Sequence, residues 1–147
     1  MTGTNPKMKE KTTLDILLRT DTNIPDFETN SYTKLLEEGT NTDLNFTYLP
    51  AGDDGKQKLS IMISTNEKLG DMVIYPLTPL ETYSYGSQGF FLALNDYVDQ
   101  AGKYTKDYFA SEEGQSIMKY LKSPDGNIYA IPRIAQEVGN DWDHRQW

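Results

Sequence analysis

The chain has 147 residues, with 14 Lys and Arg against 22 Asp and Glu, one His and no Cys, so its formal net charge is −8. This length fits one hydrophobic core and is too short for two domains of ordinary size. The acidic balance argues against binding to nucleic acid or to an anionic membrane surface, because both need clustered Lys and Arg. Without Cys and with one His, the chain has neither a thiolate nucleophile nor the ligands of a sulfur or multi-histidine zinc site. We therefore predict no metal site.

The amino-terminal part of the chain predicts a strand, a helix and a second strand. Residues 1–13 are polar and Lys-rich, which is typical of a flexible leader. The short apolar run at residues 14–18 predicts a buried strand. Apolar side chains between residues 32 and 36 follow at helical spacing behind an Asn-Ser cap, with Gly39 as the expected stop. Residues 44–50 alternate apolar and polar side chains and end in Pro, which indicates a strand with one covered face.

A second helix and a third strand follow. The Gly-Asp-Asp-Gly sequence at residues 52–55 predicts a loop, and residues 59–63 return to helical spacing, although β-branched side chains weaken that helix. The continuous apolar run at residues 72–75 predicts a strand buried on both faces, ended by Pro76. Strands that alternate with helices across short loops run parallel, so the pattern predicts an open α/β sheet. In such sheets the ligand crevice lies at the carboxyl ends of the strands.

The rest of the chain predicts helices and one tight turn. Residues 92–98 and 112–121 have helical apolar spacing. The Ser-Pro-Asp-Gly-Asn sequence at residues 123–127 is typical of a turn, because Pro and Asp-Gly both favour one. Beyond Pro132 the chain turns polar and lacks a helix or strand terminator, which indicates that it stops short of a complete structure.

Five segments of the chain stand in a familiar order and spacing. They include Thr-Asp-Thr-Asn after the first strand, Leu-Leu-Glu-Glu before the second, Gly-Asp-Met-Val-Ile at the third, then Gly-Phe-Phe-Leu-Ala-Leu-Asn-Asp-Tyr-Val and Ser-Pro-Asp-Gly-Asn-Ile-Tyr-Ala-Ile-Pro. This succession resembles the amino-terminal lobe of family-one extracellular solute-binding proteins, the sugar-binding lipoproteins of bacterial ABC importers. The matching pieces cover most of residues 12–147.

The resemblance implies a fold, a domain organisation and a function. The fold would be a type II periplasmic-binding-protein-like lobe, an open and mostly parallel sheet flanked by helices. The chain would comprise a flexible leader (1–13), the solute-binding amino-terminal lobe (14–132), and a hinge or crossing segment toward a second lobe (133–147). It would be a substrate-binding component of an ABC importer, extracellular and anchored through an amino-terminal lipid, with no enzymatic activity and no cofactor. Its partners would be a carbohydrate or oligosaccharide and the importer's permease.

A single lobe presents only half of a binding site, because two-lobed binders close around their ligand by hinge motion. We therefore expect residues 1–147 alone to bind sugar weakly or not at all. Such a lobe usually also contains a strand from chain that returns from the second lobe. Without that strand a sheet edge stays unpaired, which invites a strand-exchanged or edge-paired dimer.

Sugar sites combine planar hydrogen-bonding side chains for hydroxyl pairs with aromatic rings for the apolar faces of the sugar. By the resemblance, eight residues of the loops at the crevice and of the hinge are expected to contact ligand: Asp21, Tyr75, Tyr83, Tyr85, Arg133, Gln136, Glu137 and Trp142.

Each of these residues also has a structural interpretation. Asp21 can cap its own loop in an Asx turn. We expect Tyr75 to end the third strand and Tyr83 and Tyr85 to lie in the loop that follows, and one of the three can simply pack beneath that loop. Arg133 can pair with a surface carboxylate. The register after the last Pro leaves Gln136 and Glu137 as alternatives. The Asp-Trp-Asp-His sequence at residues 141–144 is interpreted as a tail or crossing strand, because a general base needs an oriented partner and a pocket.

Two other functions are consistent with the pattern. An intact flavodoxin-like enzyme domain would act through Asp21 or Asp71 at the strand ends, and would purify with bound flavin, phosphate or metal. An adhesion or scaffold module would use its Tyr-rich loops on a flat surface rather than in a crevice. The order of the five segments favours the solute-binding interpretation over both.

Overall fold

The computed structural model describes residues 7–24, 26–98 and 100–132. Over these ranges strands and helices alternate up to residue 74, and only helices follow. In chain order the elements are β1 (Thr12–Arg19), α1 (Ser31–Thr40), β2 (Thr42–Leu49), α2 (Asp53–Ser64), β3 (Met72–Ile74), α3 (Pro79–Ser87), α4 (Asn95–Val98), α5 (Lys103–Ala110) and α6 (Glu112–Leu121).

The three strands form one parallel sheet in the order β2-β1-β3. β1 pairs with β2 along all eight residues of each strand, whereas only residues 16–18 of β1 pair with β3. The expected open, parallel α/β sheet is therefore confirmed. Because β2 and β3 lie on opposite sides of β1, right-handed crossovers place α1 and α2 on opposite faces of the sheet.

The face under α2 holds the main hydrophobic core. Leu17 of β1 and Leu49 of β2 pack with Leu59, Met62 and Ile63 of α2, and all five side chains are buried. These three residues of α2 repeat at helical spacing, so the helix turns one apolar stripe toward the sheet. The predicted strands β1 and β2 therefore pack against the predicted apolar side chains of α2.

The opposite face carries an aromatic group. Ile16 and Leu18 are buried on this face, and the register places Phe46 and Tyr48 of β2 beside them. The ring of Phe27, from the loop after β1, covers both β2 rings with centroid distances of 6.1 and 6.0 Å. Part of this loop therefore serves the core rather than a ligand.

The prediction that the third strand is buried on both faces is wrong. β3 has only three residues, and Met72 and Ile74 remain 49% and 47% exposed. Val73 between them packs against the α2-side core. The continuous apolar run did predict a strand, but within the described sheet β3 is an edge strand with one covered face, which the run alone does not reveal.

The first helix begins as predicted and ends later than predicted. The side chain of Asn30 accepts a hydrogen bond from the Tyr32 N–H and caps the amino end. Gly39 is not the stop, because the helix continues to Thr40 and ends at Asn41, which adopts a left-handed conformation with φ 59°. Asn adopts this conformation more readily than most residues. Its side-chain amide donates to the carbonyl of Met8, 33 residues earlier in the chain.

Two predicted loops are partly helical. Residues 53–55 of the expected Gly-Asp-Asp-Gly loop form the first turn of α2, and only Gly52 stays outside as the N-cap. The adjacent carboxylates of Asp53 and Asp54 favour a helix amino end. Tyr83 and Tyr85 lie in α3, so their placement in a loop is wrong. A Thr78–Glu81 capping box with Pro79 at the first helical position starts that helix.

After β3 the described part of the chain contains helices and no strand. α6 has the predicted bounds, whereas the helix expected at residues 92–98 is confined to α4, and α5 was not predicted. Phe109 and Ile128 are buried here. The predicted turn at residues 123–127 is present, and Asn95 links it to α4 by bonding the Gly126 carbonyl and the Ile128 N–H. No helix within the described ranges is long and apolar enough to span a membrane.

Candidate functional site

The candidate site is the carboxyl edge of the sheet, because all three parallel strands end there. Residues 20–30 follow β1, residues 50–52 follow β2 and residues 75–78 follow β3. Short loops between a strand end and a helix start hold their polar groups in fixed positions. The geometry of each loop decides which groups face outward.

Asp21 lies in the first of these loops and organises it. One carboxylate oxygen, Oδ1, accepts hydrogen bonds from the backbone N–H and the side-chain amide of Asn23, at 2.9 and 3.1 Å. The Asp21 carbonyl accepts from the Ile24 N–H at 3.2 Å. The structural interpretation, an Asx turn, is thus present. Among the described residues Oδ2 has no hydrogen-bond partner, so the same carboxylate still offers an acceptor to a ligand hydroxyl.

Tyr75 directly follows β3 and joins the third loop to the second. Its ring packs against the α2-side core, and its hydroxyl donates to the carbonyls of Pro50 and Gly52 at 3.0 and 2.8 Å. Gly52 has φ +73°, a conformation that favours glycine. The phenol therefore holds a turn whose backbone shape few other residues would adopt.

A polar bridge ties the start of α2 to the start of α3. The ammonium of Lys56 lies 3.0 and 3.3 Å from the two carboxylate oxygens of Glu81. Glu81 also accepts from the Thr78 N–H at 2.6 Å, while its own N–H donates to the Thr78 hydroxyl. The bond from the Thr78 N–H, and then the bond from Lys56, hold the pKa of the Glu81 carboxyl below its usual value although desolvation opposes them.

The two tyrosines of α3 have different surroundings. Tyr85 packs against the α2-side core and meets the ring of Phe91 edge-on at 5.8 Å, so its ring has a structural role. Tyr83 is half-buried and lies about one turn from the amino end of the helix. Of the two, Tyr83 is nearer to the carboxyl edge.

Tyr129 is a further aromatic residue beside α3. A Cβ on Gly86 would lie 2.3 Å from the Tyr129 ring, so the ring rests directly on the helix backbone. Its hydroxyl donates to the Asp125 carboxylate at 2.6 Å, and this bond raises the pKa of Tyr129. Sequence reasoning singled out the turn before Tyr129 but not this ring, whose only sequence signal is its position in the Ser-Pro-Asp-Gly-Asn-Ile-Tyr run.

Half of the predicted ligand contacts fall on the described residues. The structure places Asp21 and Tyr75 at the carboxyl edge and Tyr83 and Tyr85 on the helix that starts there. The other four predicted contacts lie outside the described residues: Arg133, Gln136, Glu137 and Trp142.

Sequence reasoning missed the Lys56–Glu81 bridge. The capping box Thr-x-x-Glu was readable in the sequence, and it would have placed Glu81 at a helix start. Nothing local could pair Glu81 with Lys56, because the two lie on different helices. The described part of the chain contains no cluster of three or more His, Cys, Asp or Glu suited to a metal ion.

A cavity of about 280 Å³ lies between the middle of the sheet and the segment that precedes β3. Its lining includes Asp15, Thr47, Glu67 and Lys68 around the apolar side chain of Met62. The lining contains no residue of the loops at 20–30, 50–52 and 75–78, so this cavity is separate from the edge where the three loops meet.

The sheet order and the loop edge define a lobe of the periplasmic-binding-protein-like class, and the structural neighbours of the chain are solute-binding proteins. No protein-family model matches the chain. The chain is similar to the alginate-binding protein AlgQ2, solved without calcium ion, with 26% identity and a TM-score of 0.73. This similarity covers 88% of the chain and 26% of AlgQ2.

Two further neighbours, both from Streptococcus pneumoniae, share the fold. The ABC-transporter substrate-binding protein FusA, in complex with kestose, matches 84% of the chain and 25% of its own length, with 20% identity and a TM-score of 0.71. The N-glycan transport solute-binding protein NgtS matches 82% of the chain and 24% of its own length, with 24% identity and a TM-score of 0.56. The chain thus spans about a quarter of the length of the structures it matches, and the expected lobe fold is confirmed.

Proposed function

We propose that the chain is the amino-terminal lobe of the substrate-binding component of an ABC importer, and that it captures a carbohydrate or oligosaccharide outside the cell. The observation that carries this proposal is the shared lobe fold with AlgQ2, at 26% identity over 88% of the chain. Kestose and Man5GlcNAc are bound by other neighbours of the same fold. Carbohydrate is therefore the ligand class that these neighbours have in common.

The carboxyl edge would supply half of the sugar site. We propose that Asp21 accepts a hydrogen bond from a sugar hydroxyl through Oδ2, because Oδ1 is held in the Asx turn. Tyr83 would add an aromatic face. The proposed contacts beyond residue 132 would come from the hinge: Arg133, Gln136, Glu137 and Trp142.

The remaining parts of the function follow from this role. The protein would act outside the cell, anchored by an amino-terminal lipid, and would deliver its sugar to the permease of the importer without chemical turnover. Residues 14–132 would form the lobe, residues 1–13 its leader and residues 133–147 the hinge. Closure of a second lobe over this one would complete the site, because closure excludes water and adds hydrogen-bond donors from the other side of the ligand.

Isothermal titration calorimetry tests the sugar-binding role. Alginate oligosaccharide, kestose and Man5GlcNAc are each titrated into residues 1–147 and into the full-length protein. We expect weak or no binding to residues 1–147, and a dissociation constant of about 1 μM or lower for one of the sugars with the full-length protein. Micromolar binding by residues 1–147 contradicts the half-site, and no binding by the full-length protein contradicts the carbohydrate role.

Asp21→Asn in the full-length protein tests the proposed sugar contact. A hydrogen bond to a charged acceptor is about twice as strong as a neutral one, so the affinity should fall by about tenfold. Asp26→Asn is the matched control, because Asp26 caps the same loop through the Glu28 and Thr29 N–H groups. Equal losses of affinity in both variants would mean that sugar binding depends on the shape of the loop rather than on the Asp21 carboxylate.

We also propose that residues 1–147 self-associate through β3. In the described sheet the outer edge of this strand has no neighbour, and Met72 and Ile74 on one of its faces are half-exposed. Unpaired edges of this kind recruit strands from other chains. Sedimentation equilibrium over a range of concentrations should show a dimer that Ile74→Lys abolishes, because a charged side chain on an exposed edge strand opposes pairing with another chain. A monomer at all concentrations contradicts this proposal.

A further inference from the structure

The hydroxyl of Tyr75 lies between two backbone carbonyls of the loop that joins β2 to α2. It is 3.0 Å from the Pro50 oxygen and 2.8 Å from the Gly52 oxygen, and a phenol has a single proton to share between them. Both acceptors belong to residues 50–52, the shortest of the three loops at the carboxyl edge. The hydroxyl therefore reaches across from the end of β3 to hold its neighbour loop.

The first turn of α2 closes tightly over the same point. A Cβ on Gly55 would lie 1.9 Å from the Pro50 oxygen and 2.3 Å from the Tyr75 hydroxyl. Gly55 is thus required for space, whereas a Cβ on Gly52 would meet nothing within 4 Å and this glycine is required for its positive φ. The phenol, the turn and the helix start form one packed unit.

The ring and the hydroxyl of Tyr75 have separate tasks. The ring packs against the buried cluster around Leu17 and Leu59, so the position of the side chain is set by the core. Because the ring is fixed in this way, the hydroxyl can hold residues 50–52 in place relative to the core. The Lys56–Glu81 ion pair also holds the start of α2, because it joins this helix start to the start of α3.

We propose that Tyr75 is a positioning residue for the sugar site: it holds residues 50–52 in the shape that the ligand meets, and does not itself contact the ligand. This inference rests on the proposed function. It assigns Tyr75 a role different from the direct contact that the resemblance implies. It also makes the loop between β2 and α2 part of the recognition surface, although none of the predicted contacts lies in it.

Amide hydrogen exchange on residues 1–147 tests the loop tie without any ligand. Tyr75→Phe removes only the hydroxyl, and amides of residues 51–56 should exchange about three to ten times faster, the loss that one net hydrogen bond produces. Tyr85→Phe is the matched control, because Tyr85 packs against the same core and its hydroxyl has no partner among the described residues. Unchanged exchange in Tyr75→Phe overturns the proposal.

Sugar titration of the full-length protein tests the positioning role. Whichever of the three sugars binds the wild type should bind Tyr75→Phe about three to ten times more weakly. It should bind Tyr120→Phe equally well, because Tyr120 is exposed on α6, away from the carboxyl edge. Para-aminophenylalanine at position 75 restores a donor at the same place, so it should recover both slow exchange and affinity.

Three results overturn the inference. Faster exchange with unchanged affinity shows that the tie is structural only. Lost affinity with unchanged exchange shows that the hydroxyl touches the sugar directly. A wild-type protein that binds none of the sugars overturns the proposed function and the positioning role with it, while the exchange comparison still decides whether the hydroxyl holds the loop.

Discussion

The two faces of the sheet differ in how completely they are covered. Under α2 the core is closed, and Leu17, Leu49 and Leu59 are the most deeply buried large side chains among the described residues. On the other face the cover is partial. Met72 and Ile74 of β3 are half-exposed there, although they neighbour the buried Ile16 and Leu18 in register.

This difference shows which face of the described sheet is fully covered by the lobe's own residues. The crossover through α2 returns the chain across β1 to β3 and buries one apolar stripe against the sheet. The helix on the other face, α1, packs against β2 and leaves Tyr32 and Leu35 66% and 65% exposed. Stability should therefore come mainly from the α2 face, and substitutions should reveal the asymmetry.

The largest effect is expected at the centre of the closed face. Leu59 is 0% exposed, so Leu59→Ala should lower the free energy of unfolding by about 2–5 kcal/mol, through lost burial and the cavity left behind. Ile61→Ala on the same helix is the control, because Ile61 is 53% exposed and should cost about 1 kcal/mol or less. Urea denaturation measures both. Similar losses would mean that α2 presents a different face to the sheet.

A smaller effect separates the two faces within a single strand. Val73 packs against the α2-side core and Ile74 is directed to the open face. Val73→Thr should cost about 1–2 kcal/mol, because it buries a hydroxyl beside the core. Ile74→Thr should stay within about 0.5 kcal/mol of the wild type. Thermal and urea unfolding of the two variants measure the difference, and a larger loss at Ile74 would contradict the asymmetry.

Local signals predicted much of this arrangement. The cap at Asn30, the bounds of α6 and the turn at residues 123–127 each depend on a few adjacent side chains, and the structure has them as predicted. The alternation of strands and helices then led to the parallel sheet, because crossover geometry leaves few other choices. Features that depend on adjacent residues or on the crossover rule could therefore be predicted from the sequence.

The remaining features depend on contacts between distant parts of the chain. Tyr75 reads as the end of an apolar run, and nothing near it indicates that its hydroxyl bonds carbonyls more than twenty residues earlier. The half-exposure of β3 depends on its neighbours in space. The loop assigned to Tyr83 and Tyr85 is a different kind of error, because Pro79 stands at a helix start, where proline is favoured, and begins α3 there.

The smallest expected effect is at the rim of the closed face, where Glu81 joins α2 to α3. Because its pKa is lowered in the folded state, the unfolded state binds more protons in mild acid. The stabilisation from Glu81 is therefore complete above the unfolded pKa and is lost as the pH falls through the folded pKa. Glu81→Gln should lower stability by a few tenths of a kcal/mol to about 1 kcal/mol at pH 7 and less as the pH falls, since Lys56 and Glu81 are partly solvated.

The test is urea unfolding of the wild type and of Glu81→Gln at pH values from 7 down to the lowest pH at which the protein stays folded. Lys56→Met is the control, because it removes the bridge but keeps the Thr78 N–H bond to Glu81. That bond is the larger cause of the lowered pKa, so Lys56→Met should retain most of the pH dependence that Glu81→Gln loses. Equal loss in both variants would show that the bridge between the helices, and not the helix cap, links this rim to pH.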